Sequence, residues 1–216
     1  MKKILSLFLM IVMILSVCSC DHPDAEPTDG KTDEPVPSGA PELADFGEVS
    51  ETEYKNEYLG IRWTFGEGWM FYPEADLRMA SGIDLEAEGE ALKAALNEAA
   101  SFSDLAAIIY GESEICAVGV SVESRVGRPI SVSDYINEVI EANKILFATT
   151  GQGNIVIEEK KTAFLGEIYD SIVYTSDSSY RIDVIWGIGE RIVTLSVSTP
   201  SEARAKEILA EFSAID

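Results

Sequence analysis

Four strand-like segments follow one another near the end of the chain, and only three or four residues separate each from the next. β-Branched and aromatic residues, which are typical of strands, recur in all of them: residues 155–164, 168–175, 180–186 and 191–199. Parallel neighbours would need crossovers of a dozen or more residues. The short breaks therefore predict an antiparallel four-stranded meander.

Three more strands are expected before the meander, at residues 58–65, 105–110 and 115–123. In the first of them, Ile61, Trp63 and Phe65 share one face. With the helices below, these segments predict an α+β domain in which about three helices cover an antiparallel sheet of six to seven strands.

Three segments have helical patterns. Residues 84–101 carry an apolar stripe, and Ser131 with Asp134 forms a capping signal before a second stripe that extends to Leu146. The segment 199–202 marks the start of a last helix with Pro200 at its first position. We expect four apolar residues to dock that helix: Ile208, Leu209, Phe212 and Ile215.

Residues 1–19 have the features of an export signal. Lys2 and Lys3 precede the apolar segment 4–15, which is too short to cross a bilayer. The tetrad Val17-Cys18-Ser19-Cys20 resembles the lipobox of bacterial lipoproteins, whose last cysteine receives a diacylglyceryl group. The resemblance implies that Cys20 is lipidated and anchors the chain to the extracytoplasmic face of the cell membrane. The alternative is an ordinary secretory signal cleaved nearby.

Residues 20–53 are expected to form a lipidated, disordered stalk. The segment 21–53 holds five of the eight prolines and eleven acidic residues against one lysine, Lys31. Such a segment has too little apolar surface to fold. Its acidic residues lack the spacing of a cation-binding loop. The remainder, residues 54–216, is the length of one globular domain.

Cys116 is the thiol that remains if Cys18 is removed with the signal and Cys20 is acylated, so we expect no intramolecular disulfide. It shares a strand face with Val118, Val120 and Val122, which predicts a buried and inert side chain.

The net charge of −22 excludes some partners. Removal of Lys2 and Lys3 with the signal takes it from −22 to −24. A protein needs clusters of basic residues to bind nucleic acids or anionic lipid surfaces. We therefore expect no nucleic-acid binding and no electrostatic adhesion to lipid. Basic proteins, cationic peptides or divalent ions would be attracted instead.

Residues suited to catalysis are scarce. The single histidine, His22, lies in the stalk, so the segment 54–216 cannot assemble histidine-dependent hydrolase or zinc sites. The segment 187–190 contains two glycines but lies between two strands, which indicates a hairpin turn rather than a phosphate loop. The segment 158–161 is expected on a solvated edge strand. We predict no cofactor, no metal site and no enzymatic activity, although a carboxylate-based hydrolase remains open.

Seven aromatic residues lie between positions 54 and 72. Trp63 and Phe65 are expected in the core, whereas Trp69, Phe71 and Tyr72 are candidates for a binding site because aromatic residues often anchor contacts. Core packing is the alternative for these three residues as well.

The segment 56–63, followed by Gly68-Trp69, resembles the opening of uncharacterised lipoproteins of Gram-positive anaerobes. The order of elements also resembles the PsbP-like sandwich. Neither resemblance supplies catalytic residues. We therefore expect a non-catalytic lipoprotein that binds or assembles with another envelope component. The alternative is a lipoprotein that binds a small molecule or metal for a transporter or sensor.

Overall fold

A computed structural model describes residues 46–111, 114–126, 130–151 and 154–215, and these residues contain eleven strands and four helices. The strands are β1 (Glu48–Val49), β2 (Glu53–Asn56), β3 (Ile61–Thr64), β4 (Trp69–Phe71), β5 (Ser101–Tyr110), β6 (Ile115–Ser124), β7 (Val156–Phe164), β8 (Glu167–Thr175), β9 (Tyr180–Ile188), β10 (Arg191–Thr199) and β11 (Phe212–Ala214). The helices are α1 (Glu74–Ala80), α2 (Gly89–Glu98), α3 (Val132–Thr149) and α4 (Glu202–Ala210).

The strands form two antiparallel sheets. The large sheet has seven strands in the order β4-β5-β6-β10-β9-β8-β7, and the small sheet has four in the order β1-β2-β3-β11. The predicted α+β class and the antiparallel meander, β7 to β10, are confirmed. β3 lies within the strand expected at residues 58–65, whereas β1, β2, β11 and α1 were not expected, because segments this short show little periodicity.

The large sheet packs on both faces because successive side chains of a strand point to opposite sides. On β9, Ile182 and Val184 belong to a core shared with the small sheet, α2 and α4, whereas Ile185 belongs to a second core beneath α3. The second core includes Ile136 and Phe147 of α3.

The structure confirms the predicted start of α3 and corrects the predicted start of α4. Ser131 caps α3 as expected, since its hydroxyl accepts a hydrogen bond from the Asp134 amide at 3.0 Å. Pro200 is not the first residue of α4: Ser201 is the N-cap, and its hydroxyl accepts from the Arg204 amide at 3.3 Å. A serine hydroxyl can cap a helix and a proline cannot, so the helix begins one residue beyond Ser201.

The helix expected at residues 84–101 is shorter than the sequence indicates. α2 begins at Gly89, whose φ of +52° is not helical, and Leu85 is 53 % exposed instead of packed. Ser101 already belongs to β5. The opening strand is also shorter, because residues 57–60 form a turn that ends at Gly60 with a φ of +67°.

The folded part begins before residue 54. Phe46 is 7 % exposed and packs edge-on against Phe102, with ring centroids 5.7 Å apart. β1 then pairs with β2. The end of the predicted stalk thus belongs to the folded part, because Phe46 finds an apolar partner far along the chain. The export signal, Cys20 and residues 21–45 lie outside the described residues.

Asp104 is a buried carboxylate at a β-bulge and links the two sheets. It interrupts the register between β5 and β6, where Ser103 and Leu105 pair normally. Its oxygens accept hydrogen bonds from the Gly47 amide at 3.0 Å, the Asn56 amide group at 2.9 Å and the Tyr54 hydroxyl. Because Tyr54 and Asn56 lie on β2, this network ties the small sheet to β5.

Arg191 is a second buried charge with a structural role. It is 5 % exposed, and its guanidinium donates to the carbonyls of Leu96, Asn97 and Ala99 at 3.1, 2.6 and 3.1 Å. These carbonyls end α2, where the helix leaves acceptors without partners and a cation is favoured. Arg191 therefore fixes the end of α2 against β10.

Replacing Asp104 should destabilise the fold strongly. We expect Asp104→Ala to lower the free energy of unfolding by about 3 kcal/mol or more, because buried donors lose their acceptor. Tyr54→Phe removes one donor and should cost about 1 kcal/mol. Urea unfolding followed by circular dichroism measures both, with the exposed Asp177→Ala as control. Equal stability of Asp104→Ala and Asp177→Ala would contradict this role.

Tyr54 should also make the protein sensitive to alkaline pH. Burial, then the charge and hydrogen bond of Asp104, raise the pKa of Tyr54 well above its ordinary value of 10.0. The unfolded chain thus loses this proton first, so stability present below pH 10 falls as the pH rises toward the folded-state pKa. Above pH 10, the free energy of unfolding should therefore decrease less steeply with pH in Tyr54→Phe than in the unsubstituted protein. We expect a difference in slope of up to about 1.4 kcal/mol per pH unit, measured by urea unfolding at several pH values.

Candidate functional site

The aromatic cluster near the start of the domain centres on Trp63. This side chain is fully buried, its ring stacks on Phe212 at 5.4 Å, and its indole N–H donates to a Glu211 carboxylate oxygen at 2.9 Å. Trp69 meets it edge-on at 4.8 Å, and Phe71 lies 6.0 Å from it. The cluster joins β3, β4 and β11 in one packing unit.

Trp69 and Phe71 therefore face the core. Both are half-buried and pack against the first core. Because side chains alternate along β4, Met70 between them points the other way and is 51 % exposed. Of the three aromatic candidates, these two contribute mainly to packing.

Tyr72, the third candidate, follows β4 directly, is half-buried and also contacts the first core. Its amide donates to the Ala106 carbonyl at 2.9 Å, which extends the pairing of β4 with β5. Partial burial, then the charges of Tyr110 and Asp76, raise the pKa of Tyr72. Tyr72 and Tyr110 are thus neighbours.

We call four residues here the tyrosine patch: the exposed Met70, Tyr110 and Ile115, and the half-buried Tyr72. Tyr110 pairs directly with Ile115, and Met70 pairs with Ile108 on the same side of β5 as Tyr110. Directly opposed side chains on neighbouring strands lie in contact range. Tyr110 is 46 % exposed and Ile115 is 40 % exposed. Apolar surface of this kind on a sheet face is typical of interaction sites.

A groove on the opposite side of the large sheet is the second candidate. It has a volume of about 690 Å³, within the range of small-molecule sites. We call it the α4 groove, because α4 forms one wall while β7 and β11 form the others. Its described lining includes Lys160, Lys161, Thr162, Phe164, Val173, Tyr180, Ile182, Glu202, Ala205, Lys206, Leu209, Ala210, Phe212 and Ala214.

Charged side chains stand at one end of the α4 groove. Lys160 contacts Glu158 at 3.0 Å, and Lys206 contacts Glu202 at 2.8 Å. The hydrogen bond to Glu158 raises the pKa of Lys160, and the hydrogen bond to Glu202 raises that of Lys206. Both amines are therefore cationic at neutral pH.

A buried ion pair lies on the other face of the large sheet, among the strands that α3 packs against. Arg181 binds Asp183 through two hydrogen bonds of 2.7 and 2.8 Å, and its guanidinium lies 5.2 Å from the Tyr174 ring centroid. Burial and then the charge of Asp183 raise the pKa of Tyr174. Because both charges are paired, this cluster stabilises one arrangement rather than offering a free acid or base.

Cys116 is 2 % exposed, which confirms its predicted place in the core. Burial raises the pKa of its thiol. A protonated thiol without access to solvent is a poor nucleophile. The hairpin turn expected at residues 187–190 is confirmed in kind but is shorter: Gly187 and Ile188 still belong to β9, and residues 189–190 form the turn to β10.

Two kinds of feature are not found in the described part of the chain. Within residues 46–111, 114–126, 130–151 and 154–215, no three metal-binding side chains are grouped to hold an ion. No helix in those same ranges is long and apolar enough to span a bilayer. His22 and Cys20 lie outside these ranges.

Sequence reasoning missed both the outward residues of the tyrosine patch and the α4 groove. Met70 lies between two aromatic residues, and the alternation of side chains along a strand could have indicated that Met70 points outward if these two point inward. For the groove the sequence offers no signal, because β7, α4 and β11 meet only in the folded chain.

The comparisons with known proteins are sparse. No family profile matches the chain, and no curated protein shows significant sequence similarity to it. One solved structure similar to the chain is described as that of LpqN, involved in cell envelope biogenesis of Mycobacterium tuberculosis. The alignment covers 72 % of this chain and 83 % of LpqN, with 9 % sequence identity and a TM-score of 0.37. A likeness this low supports no inference about function.

Proposed function

We propose that the protein is a lipid-anchored, non-catalytic binding module that assembles with another protein at the extracytoplasmic face of the cell membrane. The tyrosine patch is the observation that carries this proposal. Tyrosine and methionine side chains provide large contact areas and are enriched at protein interfaces. Here Met70, Tyr110 and Ile115 are exposed on the strands β4 to β6, and the half-buried Tyr72 follows β4 directly.

Charge indicates the nature of the partner. The chain carries −22, and 38 acidic residues outnumber 16 basic ones. A partner with basic residues around an apolar contact would be steered toward such a surface, and like-charged partners would be repelled. The partner is therefore a basic protein of the envelope rather than a nucleic acid.

The attachment depends on residues outside the described part. Cys20 of the lipobox-like tetrad would carry the acyl chains, and the acidic segment after it would hold the domain away from the membrane. The resemblance of the segment 56–63 to uncharacterised lipoproteins, and of the element order to a PsbP-like sandwich, agrees with this role.

A binding role is favoured over catalysis by the groups available. Among its described lining residues, the α4 groove has one carboxylate, Glu202, whereas glycoside hydrolysis uses a facing pair. The buried charges Asp104, Arg181 and Arg191 are all engaged in structural hydrogen bonds. The alternative role, binding of a small molecule, would use the α4 groove.

Site-specific photocrosslinking in the native cells tests the proposal. We expect a photoreactive residue at position 70 to capture one protein partner, while the same residue at position 168 captures none. Ile168 is a matched control because it is 67 % exposed on β8. Capture should be lost in Cys20→Ala cells if anchoring brings the partners together.

Removing the tyrosines should then weaken capture without unfolding the protein. We expect the double substitution Tyr72→Ala and Tyr110→Ala to reduce crosslinking at least about tenfold, since interface anchors contribute about 1 kcal/mol or more each. The melting temperature reports folding, with Ile168→Ala as reference. Undiminished capture, or a partner shared equally by positions 70 and 168, would refute the patch as the binding site.

A further inference from the structure

The α4 groove changes character from one end to the other. Lys160, Glu202 and Lys206 stand together at its polar end, where the charge of Glu202 acts on both lysines. Tyr180 lines the same end, and both lysines lower its pKa after burial has raised it. This end can therefore offer ammonium and hydroxyl groups to an anion.

The opposite end is apolar. The rings of Phe164 and Phe212 lie 5.8 Å apart there, and Leu209 adds an aliphatic wall. Val173 and Ile182 of β8 and β9 form the floor between the two ends. These side chains are at most 7 % exposed and belong to the first core, so they form the closely packed base of the groove.

The two walls run in the same direction. Along β7 the lining passes from Lys160 to Phe164, and along α4 it passes from Lys206 to Leu209. Four residues of a strand span about 13 Å. A molecule with a charged head and an extended apolar tail matches this order and this length.

The groove also departs from the charge of the whole protein. Lys160 and Lys206 carry ammonium groups at its polar end, whereas the side chain of Lys161 points to the opposite face of β7 and pairs with Asp170. With Glu158 and Glu202, the polar end has no net charge in a chain of −22. Both ion pairs are surface pairs, with the Lys160 and Lys206 side chains 46 and 71 % exposed. Such pairs contribute about 0–1 kcal/mol, so an anionic ligand can replace the carboxylates.

We propose that the α4 groove binds a monomeric single-chain amphiphile with an anionic head, such as a fatty acid. The head contacts Lys160 and Lys206, and the chain lies over Val173 and Ile182 toward Phe212. This site is separate from the tyrosine patch, because the two surfaces belong to opposite faces of the large sheet.

Isothermal titration calorimetry tests the proposal with sodium decanoate below its micelle concentration. The protein is the chain from Asp21 onward, which contains every described residue and needs no detergent that would compete for the groove. We expect saturable binding of decanoate at one site. Decylammonium, with the same tail and a positive head, should bind at least about tenfold more weakly. Acetate should give no measurable heat.

Matched variants locate the site. Ala210 and Ala203 are both exposed on α4, but Ala210 lines the groove and Ala203 does not. We expect Ala210→Trp to abolish decanoate binding and Ala203→Trp to leave it unchanged. The double substitution Lys160→Gln and Lys206→Gln should weaken binding roughly tenfold. Lys144→Gln is the control, since Lys144 is 54 % exposed and pairs with Glu141 on α3.

Three outcomes would overturn the proposal. One is the absence of decanoate binding to the unsubstituted protein at millimolar concentration. Another is equal binding by Ala210→Trp and Ala203→Trp, which would place the ligand elsewhere. The third is association with phosphatidylglycerol vesicles without binding of decanoate, which would make the lysines a contact for a membrane surface.

Discussion

The buried carboxylate of Asp104 is the interaction on which the arrangement of the two sheets depends. It lies where β5 bulges, and the donors it satisfies come from residue 47 and from β2. A buried carboxylate is tolerated only when its oxygens are hydrogen-bonded, so this one fixes β2 relative to β5. The position of β2 in turn sets that of β3, and with it the place of Trp63 in the core. The direction in which β4 presents Met70 follows from the packing of Trp69 on that indole.

Much of the large sheet could be predicted because its signals are local. The meander has strong strand segments and short breaks, and α3 has a serine cap before an apolar stripe. Of the small sheet only β3 was expected; β1, β2 and β11 could not be predicted, since they are two to four residues long and β11 pairs with a strand far away in the chain. The role of Asp104 could not be predicted for a similar reason. An acidic residue beside an apolar segment indicates the end of a strand unless its hydrogen-bond donors are known.

The candidate sites could also be predicted only where a single segment of the sequence contains the relevant residues. The sequence drew attention to Trp69, Phe71 and Tyr72, but their common aromatic character did not distinguish two residues on the core side from one beside an exposed surface. Strand alternation separates them once β4 is known to begin at Trp69. The α4 groove depends on three elements brought together by folding, so its opposed charged and apolar ends were not visible in any single segment.

The pairing of β11 with β3 has a consequence for the order in which the molecule can form. Trp63 and Glu211, which share a hydrogen bond, are separated by 148 positions in the chain. Contacts this distant are made slowly, because the intervening chain must first be brought together. While the chain emerges from the ribosome, the indole of Trp63 lacks the ring of Phe212 that stacks on it, and β3 has an unpaired edge. Until β11 is synthesised, the growing chain therefore exposes an aromatic, aggregation-prone surface, so binding of a chaperone would protect it during this interval.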